Sequence, residues 1–106
     1  MKHVWHPLAE TEFDEALDYY GVHAGINVSK KFATAINHTL VLLLEHPAIG
    51  KPIYRRARSI SLHGFPFDLV YRVYPETIII VAIANQGRRP GYWARRRVDG
   101  FKRPAG

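Results

Sequence analysis

The densest group of chemistry-bearing side chains lies in residues 88–97. Arg88, Arg89, Tyr92, Trp93, Arg95, Arg96 and Arg97 interleave guanidinium groups with aromatic rings. A guanidinium pairs with phosphate in a bidentate way, and an aromatic ring stacks on a base. Together they make the surface that a single-stranded nucleic acid requires. Tyr92 can also move a proton, although an ordinary phenol ionises near pH 10 and needs help to act as a base at neutrality. The plainer reading is that Tyr92 and Trp93 pack the tail onto a core while the arginines stay solvated. A second basic group comprises Lys51, Arg55, Arg56 and Arg58, with Arg72 further on. These side chains either share one groove with the tail or form a scattered basic surface.

Six histidines are present, none in a HExxH motif or a tight metal-ligand spacing, so no metal site is expected. His63, at the end of an expected strand near the basic loop, is the candidate for acid–base work, against the plainer reading of a half-exposed strand end. The acidic residues of the first helix are spaced as a solvent face rather than a catalytic pair. Neither a nucleophile elbow, a phosphate-binding loop nor a dinucleotide fingerprint occurs, and no cofactor is expected.

The 106 residues suffice for one domain with a modest core. A hydrophobic fraction of 47% marks a folded chain rather than a disordered one. The absence of cysteine excludes disulfides, thiolate metal sites and a cysteine nucleophile, and suits a reducing compartment. The apolar runs at 40–44 and 78–84 are too short to span a bilayer, and no signal-peptide pattern is seen. A soluble, cytoplasmic protein is expected. Residues 1–50 carry three Lys/Arg against six Asp/Glu, whereas residues 51–106 carry twelve against three. This asymmetry points to an acidic partner for the second half, either nucleic acid or an acidic protein segment.

The elements that must position these side chains follow from periodicity. Residues 2–6 fit a first strand ended by Pro7. Ala9, Phe13, Ala16, Leu17 and Tyr20 then recur at helical spacing, with Pro7 in the first turn and Gly21 or Gly25 as the stop. A second helix fits residues 27–46, capped by Asn27 or Ser29, with Val28, Phe32, Ile36, Leu40 and Leu43 as its stripe. His46-Pro47 ends it. Residues 47–58 read as a loop. Beyond it the period becomes two, with strands at 59–63, 67–74 and 77–85. The 77–85 strand is apolar on both faces and is expected to be central. The expected architecture is β-α-α-β-β-β, an α+β fold in which an antiparallel sheet packs on a helical hairpin. Residues 1–98 form the domain, and residues 99–106 a flexible tail.

The stretches Phe65-Pro66-Phe67-Asp68-Leu69-Val70-Tyr71-Arg72-Val73, Ile78-Ile79-Ile80-Val81-Ala82-Ile83-Ala84 and Arg88-Arg89-Pro90-Gly91-Tyr92-Trp93, in this order, resemble the second half of RelE/ParE-family toxins. Upstream, Phe13 to Tyr20 resembles the first helix of that family with its paired tyrosines, and Pro47 and Gly50 stand where the family leaves its second helix. The resemblance implies a type II toxin, neutralised by a cognate antitoxin through an acidic C-terminal segment. RelE-like members cleave mRNA on the ribosome with basic and tyrosine side chains, whereas ParE-like members poison DNA gyrase.

Asp68 falls where ribonucleolytic members tend to carry arginine, and an acid there repels a scissile phosphate. Asn85 stands where many relatives have histidine. These departures favour the ParE-like branch, with Arg55, Arg56, Arg58, Arg72, Arg88, Arg89, Tyr92, Trp93, Arg95 and Arg96 as the surface for target or antitoxin. The alternative is a metal-independent, ribosome-dependent endoribonuclease using Tyr92, Arg88, Arg89, Arg72 and His63. A third reading is a non-toxic, basic nucleic-acid-binding module.

Overall fold

The structure, a computed structural model, describes residues 1–97, so the expected tail at 99–106 lies outside the described residues. Strand β1 (Lys2–Trp5) leads directly into helix α1 (Pro7–His23). The His6 ring accepts the Leu8 N–H at 3.0 Å, and Pro7 occupies a first-turn position where its missing N–H costs nothing. Gly21 does not stop α1, which runs to His23; Gly25, at φ 96°, makes the reversal into α2 (Ile26–Glu45). That left-handed position suits glycine because it has no Cβ to clash. Neither Asn27 nor Ser29 caps α2; the Ser29 hydroxyl instead donates to the Leu17 carbonyl at 2.9 Å and ties the two helices together. Of the expected stripe, Phe32, Ile36, Leu40 and Leu43 are buried and Val28 is half-buried, and the helix stops just before His46-Pro47.

The sheet has five strands in the order β1-β5-β4-β3-β2, formed by β1, β2 (Lys51–Pro52), β3 (Arg58–Ser61), β4 (Phe67–Val73) and β5 (Thr77–Asn85). Pairing from β2 through β5 is antiparallel, as expected, but β1 adds in parallel beside β5 and makes the sheet mixed. The long connection that a parallel neighbour needs is the whole chain between β1 and β5, the helical hairpin followed by β2, β3 and β4. The stretch expected as a plain loop contains β2 and a tight turn, Tyr54–Arg56, which closes a hairpin onto β3.

Two apolar layers result. On the helical side, Phe32, Ile36 and Leu43 meet Leu69, Tyr71, Ile78, Ile80 and Ile83. Trp93 and Ala57 cover Val70, Ile79, Val81, Ala82 and Ala84 on the other face. Strand β5 is therefore buried on both faces, and each fully buried isoleucine contributes roughly 1.5–3 kcal/mol. Between β4 and β5 the register slips: Val70 faces Ala82 but Tyr71 faces Ile80, leaving Val81 as an extra residue. The Tyr71 hydroxyl donates to the Pro47 carbonyl and accepts the Gly50 N–H, both at 2.8 Å. A Cβ on Gly50 would stand 2.6 Å from that hydroxyl oxygen, so the close approach requires glycine.

Candidate functional site around the C-terminal turn

Strand β1 ends opposite Ile80, halfway along β5. Beyond it the edge of β5 has no strand partner among the described residues, and two side chains satisfy the exposed backbone groups. The Glu12 carboxylate, from α1, accepts the Ile83 N–H at 3.0 Å. Arg96 donates to the Val81 carbonyl at 2.9 Å, beside the register slip. The two side chains also pair with each other, Nη1 to Oε1 at 2.9 Å and Nη2 to Oε2 at 2.7 Å. This bidentate geometry gives a strong charge-assisted contact, and both side chains are only about a tenth exposed.

Tyr92 completes the node, its hydroxyl donating to Glu12 Oε2 at 2.6 Å. The Arg88 guanidinium lies 3.7 Å from the centre of the Tyr92 ring and 3.6 Å from the same carboxylate oxygen. Burial and the Glu12 carboxylate beside it push the Tyr92 phenol well above its ordinary value. Burial opposes the charge on Arg96, yet the hydrogen bond to Glu12 and the carboxylate's charge hold its pKa above the ordinary value. Among the acids of α1, then, Glu12 is not part of a solvent face. It lies three residues after buried Ala9 and four before buried Ala16, so the signal was an acid within the apolar stripe.

The other sequence candidates fall into distinct settings. Trp93 is a core residue, 4% exposed, and fastens the C-terminal turn to the sheet. Arg88, Arg89, Arg95 and Arg97 are exposed. Arg55, Arg89 and Arg95 converge with Tyr54 and Tyr92 on one hollow, so the basic loop and the C-terminal arginines do share a groove. Arg55, Arg56, Arg58 and Arg72 line a second hollow, which shares Arg55 with the first. His63 is exposed in the turn after β3 and lines none of the three hollows around Tyr92.

Asp68 accepts from the Ser61 hydroxyl at 2.8 Å and from the Gln86 amide at 2.9 Å, joining three segments at the end of the sheet. Asn85 accepts the Gly87 N–H at 2.8 Å and shapes the turn after β5. A largely apolar hollow of about 520 Å³ lies between α1 and the end of the sheet, with Tyr19, Tyr20, Phe67, Ile83 and Tyr92 among its walls. No group of three or more metal-ligating side chains occurs among the described residues. No helix among them is long and apolar enough to cross a membrane.

A helical hairpin on one face of a mixed sheet, with an arginine-rich turn fastened to the other, agrees with the small toxins that the sequence resembles. The family model described as the ParE toxin of the type II toxin–antitoxin system parDE matches residues 4–90, and the chain belongs to this family. Among solved structures it is similar to a chain of the chromosomal ParDE toxin–antitoxin system from P. aeruginosa. The two share 25% sequence identity and a TM-score of 0.71, over 80% of this chain and 95% of that one. Nothing among the curated proteins matches the chain.

Proposed function

We propose that this chain is a cytoplasmic toxin that stalls a cellular target by binding it, that the target is DNA gyrase, and that a cognate antitoxin neutralises it. The state of Tyr92 carries the binding reading. Cleaving RNA through its 2′-hydroxyl requires a group that takes up a proton near neutral pH. The Tyr92 hydroxyl donates a hydrogen bond to Glu12, and its ionisation is pushed further from neutrality. Arg96 is occupied by the same carboxylate. Asp68 brings negative charge to the hollow that Arg88 and Arg89 line, which disfavours a phosphate in flight.

Gyrase enters through the family. The antitoxin is supported by membership of a toxin–antitoxin family and by the likeness to a ParDE chain. Exposed Arg55, Arg56, Arg89 and Arg95 provide charge for an acidic antitoxin segment or for the target. Purified gyrase and relaxed plasmid test the reading. Supercoiling should stall when the toxin is added and recover when the antitoxin follows. Unchanged supercoiling with folded toxin in large excess overturns the gyrase assignment. Codon-positioned cuts in a translated message that disappear in Tyr92→Phe overturn the binding mechanism in favour of a ribonuclease.

A further inference from the structure

Among the described residues, Arg72 is buried and the Arg96 side chain nearly so, and the two are treated differently. Arg96 has the Glu12 carboxylate. Arg72, on β4 and 9% exposed, forms no salt bridge among the described residues. Its Nε donates to the Arg55 carbonyl at 3.0 Å, one Nη reaches the Ala94 carbonyl at 3.5 Å, and its Cζ lies 5.8 Å from the centre of the Trp93 ring. These contacts hold the guanidinium in place without neutralising it, and a charge withdrawn from water without a counter-charge is costly.

The space that Arg72 lines is a hollow of about 570 Å³, and among the described residues its walls contain no acid. Arg55, Arg56 and Arg58 line it as well. Arg58 borders the hollow but turns its guanidinium to the helical side of the sheet, where Nη1 holds the Ala48 and Gly50 carbonyls. Arg55 and Arg56 sit at the tip of the β2–β3 hairpin with φ of 60° and 61°. Two successive left-handed residues are ordinarily Asn and Gly, because a Cβ is strained there. The hairpin accepts that strain at both positions and in return brings Arg55 and Arg56 to the hollow that Arg72 lines. Backbone strain of this kind marks a functional position rather than a preferred turn.

We infer that this hollow is a binding site for phosphate, and that its natural ligand carries adjacent phosphate groups, as a diphosphate or a nucleic-acid backbone does. A carboxylate brings one negative charge and needs one guanidinium. Arg55, Arg56 and Arg72 around one hollow match a ligand with several charges and many acceptor oxygens. The site is separate from the Glu12–Tyr92 node, and its test does not depend on the identity of the toxin's target.

The test is calorimetric titration of the full chain with pyrophosphate and, separately, with a short single-stranded DNA. Saturable binding of either ligand is expected, and Arg72→Gln should weaken it about tenfold or more. Arg56→Gly guards against misfolding, because it removes one guanidinium while relieving the backbone. It should raise the thermal midpoint and still weaken binding. Lys30→Ala, a charge loss on exposed α2, should leave the affinity unchanged. Binding of pyrophosphate alone assigns a free diphosphate, and binding of the DNA alone assigns a phosphodiester backbone. No binding of either, equal weakening by Lys30→Ala, or full affinity in Arg56→Gly and Arg72→Gln overturns the site. Tighter binding of a glutamate-rich peptide than of both phosphate ligands overturns the choice of phosphate.

Discussion

Glu12 and Arg96 are 84 residues apart in sequence, and their paired contacts of 2.7 and 2.9 Å close the open edge of β5. The first helix and the C-terminal turn are thereby fastened to the same stretch of the sheet. Tyr92 adds a third contact to the same carboxylate.

Glu12→Gln keeps the shape of this node and removes its charge, leaving the Arg96 guanidinium buried and uncompensated. Loss of one partner from a buried pair costs about 3–5 kcal/mol. Tyr92→Phe removes one hydrogen bond to a charged group and should cost about 1.5–3 kcal/mol. Urea unfolding at neutral pH measures both. A Glu12→Gln loss below that of Tyr92→Phe would show that water already screens the pair.

The raised ionisation of Tyr92 predicts a resistant phenol. An unperturbed tyrosine ionises near pH 10. In a difference titration of phenolate absorbance, wild type minus Tyr92→Phe, no signal should rise at that pH while the fold is intact. The linkage has a definite sign. A phenol whose folded-state pKa is raised stabilises the fold below about pH 10, and that contribution fades as the pH climbs beyond it. An ordinary phenolate signal near pH 10 would show that the bond to Glu12 is not held in solution.

His6 predicts the opposite edge of the pH range. Burial, followed by the charge of Arg96, lowers its pKa below the ordinary value of 6.5. Its ring also accepts the Leu8 N–H at the start of α1, which requires an unprotonated nitrogen. Stability from this group is present above about pH 6.5 and falls as the pH drops through the lowered folded value. Wild type should therefore lose thermal midpoint on acidification faster than His6→Asn, whose amide oxygen can cap the helix without titrating. Parallel losses would assign the acid sensitivity to other groups.

The features legible in the sequence were those with a local cause. The stripe from Phe32 to Leu43 specified α2, and the apolar run in β5 specified a strand buried on both faces. The two clusters of arginine were visible as clusters, and the structure unites part of them in one groove. The features that were hidden depend on distant partners. Nothing near Glu12 announces a bond to Arg96, although an acid between Ala9 and Ala16 on the inner face was a warning. Arg72 alternates with the apolar side chains of β4 and so reads as solvent-facing. It is buried because the C-terminal turn, anchored by Trp93, covers that face of the sheet. Gly25 displaced Asn27 and Ser29 at the start of α2 because the reversal needs a left-handed residue, a demand that capping preference alone does not express.

The separation of Glu12 from Arg96 also sets an order of events at the ribosome. At about 5–20 residues per second, several seconds pass between synthesis of the first helix and arrival of the arginine that seals β5. Strand β5 ends at Asn85, close before Arg96 in the chain, so for roughly a second of that time the far half of the strand's edge has donors and acceptors to offer another extended chain. A newborn copy therefore passes through a stage in which capture by a partner competes with its own completion, and the competition ends only when its last turn has been made.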